Sequence, residues 1–146
     1  MSLLILFNGE IVPFEIALRS HLKGSAGLAG VGVDWGMRPR TAPVRGISLL
    51  LASGGRDYHM GGRSPLRDPL VQIDCWDETY KGAKDLARAV IASMDALKTP
   101  PLQAFVDAER DFYEASEKPE PTTGTTEIFR TSLDVRVWAT EVGDPP

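Results

Sequence analysis

From Ile128 to Thr140 the chain alternates without a break. Phe129, Thr131, Leu133, Val135, Val137 and Ala139 fall on one side of an extended chain; Arg130, Ser132, Asp134, Arg136 and Trp138 fall on the other. A period of two belongs to a strand with one face in a core. Such a strand cannot stand alone. It needs neighbours in a sheet and a second layer over its apolar face.

Other segments supply the neighbours. Leu70 to Trp76 sets Val71, Ile73 and Cys75 against Gln72, Asp74 and Trp76. Leu102 to Tyr113 puts Leu102, Ala104, Val106, Ala108 and Phe112 on one face, with Asp107, Glu109 and Asp111 on the other. Val44 to Ala52 reads as a buried strand, with Ile47, Leu49 and Leu51 on one side and Leu50 opposite. Val31 to Trp35 is a short strand candidate. The covering layer is helical. Ala83, Leu86, Val90, Met94 and Leu97 recur at helical spacing, with Asp77 placed as N-cap, Glu78 in the first turn, Lys98 at the C-terminus and Pro100-Pro101 as the stop. Ile11, Phe14, Leu18 and Leu22 mark one face of a shorter helix, with Pro13 in its first turn and Gly24 ending it. The run Leu3 to Phe7 before the tight-turn pair Asn8-Gly9 is either a strand or a leader into that helix. The fold expected is α+β, a mainly antiparallel sheet with two helices packed on one face. A chain of 146 residues makes this one domain, 1–146. The segments 53–69 and 115–126, rich in glycine, proline and polar residues, are expected to be mobile loops, and 143–146 a frayed tail.

The charge is unevenly placed. Between Arg38 and Arg67 lie six arginines (Arg38, Arg40, Arg45, Arg56, Arg63, Arg67) and one acid, Asp57, a net +5 in a chain of net −4, which leaves −9 elsewhere. Such a segment is either a set of solvated loop arginines or an electropositive loop facing an acidic partner or a nucleic acid. The overall negative charge argues against a dedicated nucleic-acid binder. The single cysteine, Cys75, excludes an intramolecular disulfide and fits a reducing compartment. The N-terminal apolar run is too short to span a membrane and lacks the basic start and cleavage site of a signal peptide.

Catalytic patterns are missing. Cys75 falls on the apolar face of its strand, where a free thiol is an inert small hydrophobe. His21 lies in the first helix and His59 in the glycine-rich loop. Neither has zinc-ligand spacing, and His59 with Asp57 is a weak metal pair at most. No phosphate-binding glycine loop is present, and no cofactor is called for. The stripe Asp107, Glu109, Asp111 would hold a divalent cation, do acid–base work, or pair across strands with Arg130 and Arg136, the last being the default. Trp76 and Trp138 fall opposite the inward residues of their strands. They are either interface anchors beside arginines or are covered by the chain itself.

Taken in order, "GRDYHMGGRSPLRDPLVQIDCWDETYKGAKDLARAVIASMDAL", "ERDFYE" and "IFRTSLDVRVWATE" resemble the tail-completion (tail-terminator) proteins of long-tailed phages and of phage-derived gene transfer agents. The matching elements are Val71 to Trp76, Tyr80 to Leu97, Glu109 to Glu114 and Arg130 to Trp138, and the likeness runs from about Ile11 to Glu141. The apolar run before Asn8-Gly9 is longer than in that pattern. The resemblance implies a non-enzymatic subunit of a virion or phage-like particle, made in the bacterial host cytoplasm and placed at the head–tail junction. It implies a homohexameric ring that caps the tail tube, docks on head-completion (stopper) proteins and lets DNA through its lumen without specific binding. Head-to-tail rings need two different surfaces per subunit. The candidates are Arg38, Arg40, Arg56, Asp57, Tyr58, Arg63 and Arg67 of the basic segment, with Trp76, Asp107, Glu109, Asp111, Arg130, Arg136 and Trp138. Charge reversal at Arg63 and Arg67 is expected to leave the fold intact and impair joining. The competing readings are a head-closure connector ring, a small α+β enzyme or ligand-binding domain, and nucleic-acid binding through the arginines.

Overall fold

The computed structural model of the chain describes residues 3–54, 58–59, 62–63, 65–117 and 125–142, with the backbone alone at 58–59, 62–63, 115–117 and 125–126. Asn8 and Gly9 take positive φ values of 53° and 83°, the geometry of a two-residue hairpin turn. They join β1 (Leu4–Phe7) to β2 (Glu10–Pro13) in antiparallel register. The apolar start is therefore a strand. Helix α1 (Phe14–Lys23) follows at once. Placing Ile11 on the helix face is corrected: it lies in β2 and is 60% exposed, while Phe14, Ala17, Leu18 and Leu22 are buried. Pro13 ends the strand and precedes the helix, since its fixed φ suits both.

One turn of 3₁₀ helix (Ala26–Leu28) leads to β3 (Val33–Trp35). Arg19 Nε donates to Val33 O at 2.7 Å and Trp35 Nε1 to Glu15 O at 2.9 Å, which pins α1 to this strand. β3 lies parallel to β4 (Gly46–Ser53), whereas the other described strand pairs are antiparallel. Leu51 keeps the parity of buried Ile47 and Leu49 but is 47% exposed, so the strand's far end is not buried as expected.

Part of 53–69 is strand rather than loop. β5 (Tyr58–His59) and β6 (Gly62–Arg63) form a small hairpin, and β7 (Leu66–Arg67) joins the main sheet; residues 55–57, 60–61 and 64 lie outside the described residues. β8 (Leu70–Asp77) then runs antiparallel to β4. Helix α2 (Tyr80–Asp95) starts two residues later than the Asp77 reading, because Thr79 is the cap: its hydroxyl accepts from Gly82 N–H at 3.0 Å. Asp77 is the last residue of β8. Lys98 lies beyond the helix, in β9 (Lys98–Thr99).

β10 (Leu102–Glu117) and β11 (Thr125–Thr140) pair along their whole described length, out to Glu117↔Thr125. The connection expected at 115–126 is thus strand at both ends. Its centre, 118–124, lies outside the described residues, as does 143–146. The sheet order is β3-β4-β8-β11-β10-β9, with β7 beside the end of β11. It is a curled, mostly antiparallel sheet with two helices, the α+β class read from the sequence. Ile47, Leu49, Val71, Ile73, Cys75, Leu133, Val135 and Val137 meet Leu18, Leu22, Leu86, Val90 and Met94 in one buried core. Each large aliphatic side chain buried there contributes about 1.5–3 kcal/mol.

Candidate interface on the open face of the sheet

All the core residues of β4, β8 and β11 lie on the helix side. The other face has no helix over it among the described residues. Which β10 side chains reach it depends on one residue. Val106 pairs with Val135 and Ala108 with Asp134, so Asp107 is an extra residue in the strand, a β-bulge. One inserted residue reverses the parity of everything after it. The stripe Asp107, Glu109, Asp111 therefore does not exist as one face. Glu109 and Asp111 pair with Leu133 and Thr131 on the helix side, while Ala108, Arg110 and Phe112 turn to the open face.

The open face is a ladder of rings and paired charges. The Arg130 guanidinium lies 4.2 Å from the Phe112 ring centroid and 5.2 Å from that of Trp76. It also meets Asp74 at 3.5 Å and Glu114 at 3.6 Å. Trp76 Nε1 donates to Ser48 Oγ at 3.0 Å, and Gln72 Nε2 to Asp74 Oδ2 at 3.0 Å. Arg110 pairs with Asp134 at 3.0 Å, and Arg136 with Asp68 and Asp107 at 3.7 and 3.8 Å. Trp138 is half-buried at the far end of the same face, opposite Gln103. Of the expected carboxylate–arginine pairs, Asp107–Arg136 forms; Glu109 and Asp111 go elsewhere. Each exposed pair contributes about 0–1 kcal/mol, and each ring–cation contact about 0.5–1 kcal/mol. The ladder sets geometry more than stability. At one corner, Met37, Pro43, Val44, Trp76 and Ile128 line a mainly apolar groove of about 330 Å³. Two buried polar atoms of the face, Ser132 Oγ and Arg130 Nε, make no hydrogen bond within the described chain.

On the helix side, Lys84 Nζ donates to Glu109 Oε1 and Asp111 Oδ1, both at 3.0 Å. Tyr80 and Thr131 hydroxyls also donate to Asp111 at 3.0 Å. Burial alone would raise the Asp111 pKa, but the bonds from Lys84, Tyr80 and Thr131 outweigh it and hold the carboxyl below its ordinary value. For Lys84, burial acts to lower the value, and the bonds to Asp111 and Glu109 outweigh it and hold the ammonium above its ordinary range. The Tyr113 and Tyr80 rings pack on Phe129, at 5.1 and 6.0 Å between centroids. These contacts grip the root of a two-stranded arm, since β8 stops at Asp77, opposite Phe129, while β10 and β11 run on. Sequence reading missed Lys84, Tyr80 and Phe112. Only the bulge places them, and no local residue pattern announces it.

The basic segment is not a uniform patch. Arg38 is turned inward: it donates to Pro43 O at 2.6 Å and Val44 O at 3.1 Å and meets Asp34 at 3.6 Å. Arg67 is only 8% exposed and lies 3.8 Å from Glu141, so it belongs to the fold and not to a free loop. Reversing its charge would set a buried carboxylate against the half-buried Glu141 and damage the fold, contrary to the expectation for the Arg63 and Arg67 pair. Arg40 is exposed. Arg56 and Asp57, and the side chains of Tyr58, His59 and Arg63, lie outside the described residues. His21 Nε2 donates to Ser93 O at 2.7 Å, joining the helices. Cys75 is fully buried. Burial, then the Asp74 and Glu109 carboxylates, push its thiol pKa far up. Among the described residues no group of three or more His, Cys, Asp or Glu is placed to hold a metal ion, and no helix is long and apolar enough to cross a membrane.

No protein-family model matches the chain, and no curated protein matches it. Among solved structures it is similar to a chain from the virion of a native gene transfer agent particle. That match has 17% identity and a TM-score of 0.49, and covers 83% of this chain and 90% of that one. A likeness at this level carries neither fold nor function across.

Proposed function

We propose that the chain is a structural subunit of a phage-like particle: a tail-completion protein that assembles as a ring, caps the tail tube and joins it to the head-completion proteins. The observation that carries this reading is the open sheet face. Trp76, Phe112 and Arg130 stack on it, near the end of β8, among charges already paired within the chain. Aromatic and arginine side chains are the ones enriched at the cores of protein interfaces. Pre-paired charges suit packing against protein better than bond-making chemistry, which needs a group left free to react. The family resemblance of the segments that build this face supports the same reading. Val71 to Trp76 and Arg130 to Trp138 are its strands, and Glu109 to Glu114 brings Phe112 to it.

The test is removal. Particles produced without this protein should show overlong or headless tails by electron microscopy. Tails of normal length, joined to heads, would end the proposal. Partner choice separates the two ring readings. A tail terminator co-purifies with tail-tube protein, whereas a head-closure ring co-purifies with the portal or its adaptor.

A further inference from the structure

Among the described residues the sheet is unsealed at both lateral edges, and the two open stretches lie at the same level. On one side, β3 covers β4 only at Ile47 to Leu49, and Leu50 to Ser53 have no described strand outside them. On the other, β9 covers β10 only at Leu102 and Gln103, and from Phe105 onward β10 has no described strand outside it. The register connects the two. Leu50 lies opposite Gln72, Gln72 opposite Asp134, and Asp134 opposite Ala108. Leu51 leads in the same way through Val71 and Val135 to Val106, and Ser53 through Leu70 and Arg136 to Phe105. Each edge strand carries a one-residue bulge at this level, Ala52 in β4 and Asp107 in β10. Each also exposes large apolar side chains there: Leu50 at 54%, Leu51 at 47% and Phe105 at 52%.

We infer that copies of this chain join head to tail through these edges: Leu50–Ser53 of one copy pairs antiparallel with Phe105–Ala108 of the next. This deepens the ring reading above and rests on it for the biological setting. Direction fits, because β4 and β10 run opposite ways in the sheet, so a copy rotated about an axis along the strands presents β4 antiparallel to its neighbour's β10. Level fits as well. Edges matched in height give a repeat without rise, as a ring requires, whereas a step in height would give a climbing helix. Faces match: Leu51 and Val106 share the helix side, and Ser53 and Phe105 the open side. Charge is compatible with this partner: Asp107 and Glu114 are already paired within the chain with Arg136 and Arg130, Glu109 and Asp111 with Lys84, and the Leu50–Ser53 stretch is uncharged. Strand addition supplies main-chain hydrogen bonds between strands about 4.8 Å apart.

The test is cysteine pairing in the double variant Ser53→Cys/Phe105→Cys, with each single variant as control. It is run on the concentrated full-length protein and on particles purified from producing cells, with Leu51→Asp as a separate variant. The expected result is a ladder of multimers on oxidation of the double variant alone. Leu51→Asp should weaken association at least tenfold by sedimentation while its melting curve stays unchanged. A dimer from Phe105→Cys alone would mean like-with-like β10 pairing and would overturn the inference. If the protein is present in particles but the double variant gives no ladder, the edge assignment falls and the tail-completion reading stands. A ladder in the concentrated protein, with the chain absent from particles, upholds the edge assignment and removes the tail-completion reading. Neither ladder nor particle removes both.

Discussion

Arg38 spreads its guanidinium over Gly46 and spans the carbonyls of Pro43 and Val44, closing the loop between β3 and β4. A Cβ at Gly46 would overlap that guanidinium, so the glycine is required by close approach rather than by backbone angle. Gly46→Ala and Arg38→Met should each lower stability by about 1–3 kcal/mol in urea titrations, through the hydrogen bonds lost. The pair should be clearly less than additive, because both remove the same contact. Full additivity would mean that the arginine does not hold this loop. Cys75 offers a second check. Its thiol is buried and its pKa pushed well up, first by burial and then by Asp74 and Glu109. A thiol reagent at neutral pH should leave the native protein unmodified and react promptly once the chain is unfolded. Rapid labelling of the native state would place Cys75 at an accessible surface and reopen the thiol chemistry set aside on the sequence.

The β10–β11 arm is the element whose behaviour follows most directly from its anchors. Asp111 holds it to α2 through Lys84 and Tyr80. Its folded pKa is depressed, so the anchor's contribution is complete above the ordinary aspartate value of 3.8, starts to fall as pH drops below it, and is lost through the lower folded value. Lys84 works in the opposite sense: its raised pKa keeps the bond intact below the ordinary value of 10.5, with loss only above it. Hydrogen exchange at Tyr113 and Phe129 amides should therefore be flat across neutral pH and speed up, relative to the intrinsic rate, only in acid. Asp111→Asn should show that faster exchange at all pH values. An acid transition that persists unchanged in the variant would assign it to another carboxylate.

The same arm shows how far sequence reading reaches. The alternation of β11 and β8 was fully legible, because those strands have unbroken register and a core on one side. In β10 the alternation held only to Val106. Asp107 then adds a residue without changing the local composition, and from there every side chain lies on the face opposite to that expected. Helix α2 was legible from its buried spacing, but Asp77 and Thr79 are both good capping types, and only the chain path chooses Thr79. The arginines were legible as a charge cluster. That Arg67 points into the fold follows from a distant partner, Glu141, which no local window contains, and that Arg38 does so follows from the path of its own loop over Gly46, which no residue pattern announces.

At the scale of the whole molecule, the question is whether the arginine-rich segment makes this a nucleic-acid binder or leaves DNA as cargo. The net charge is −4, with 16 basic against 20 acidic residues. Within the segment, Arg38 meets Asp34, Arg45 meets Asp77 and Arg67 meets Glu141, so much of its positive field is cancelled inside the fold. Phosphate binding requires the reverse, several cations free to displace counterions, and its signature is affinity that falls steeply with salt. Titration with duplex DNA should accordingly show no binding tighter than about 10⁻⁴ M at physiological salt, the weak end of the non-specific range. At low salt any residual affinity should have a log–log salt slope no steeper than about −1, equivalent to one neutralised phosphate. A passage that DNA must traverse gains from such a surface, since strong phosphate contacts would hold the strand in place. A slope of several ions, abolished by Arg40→Ala together with Arg56→Ala and Arg63→Ala, would instead make the segment a phosphate-binding surface and displace the proposed role.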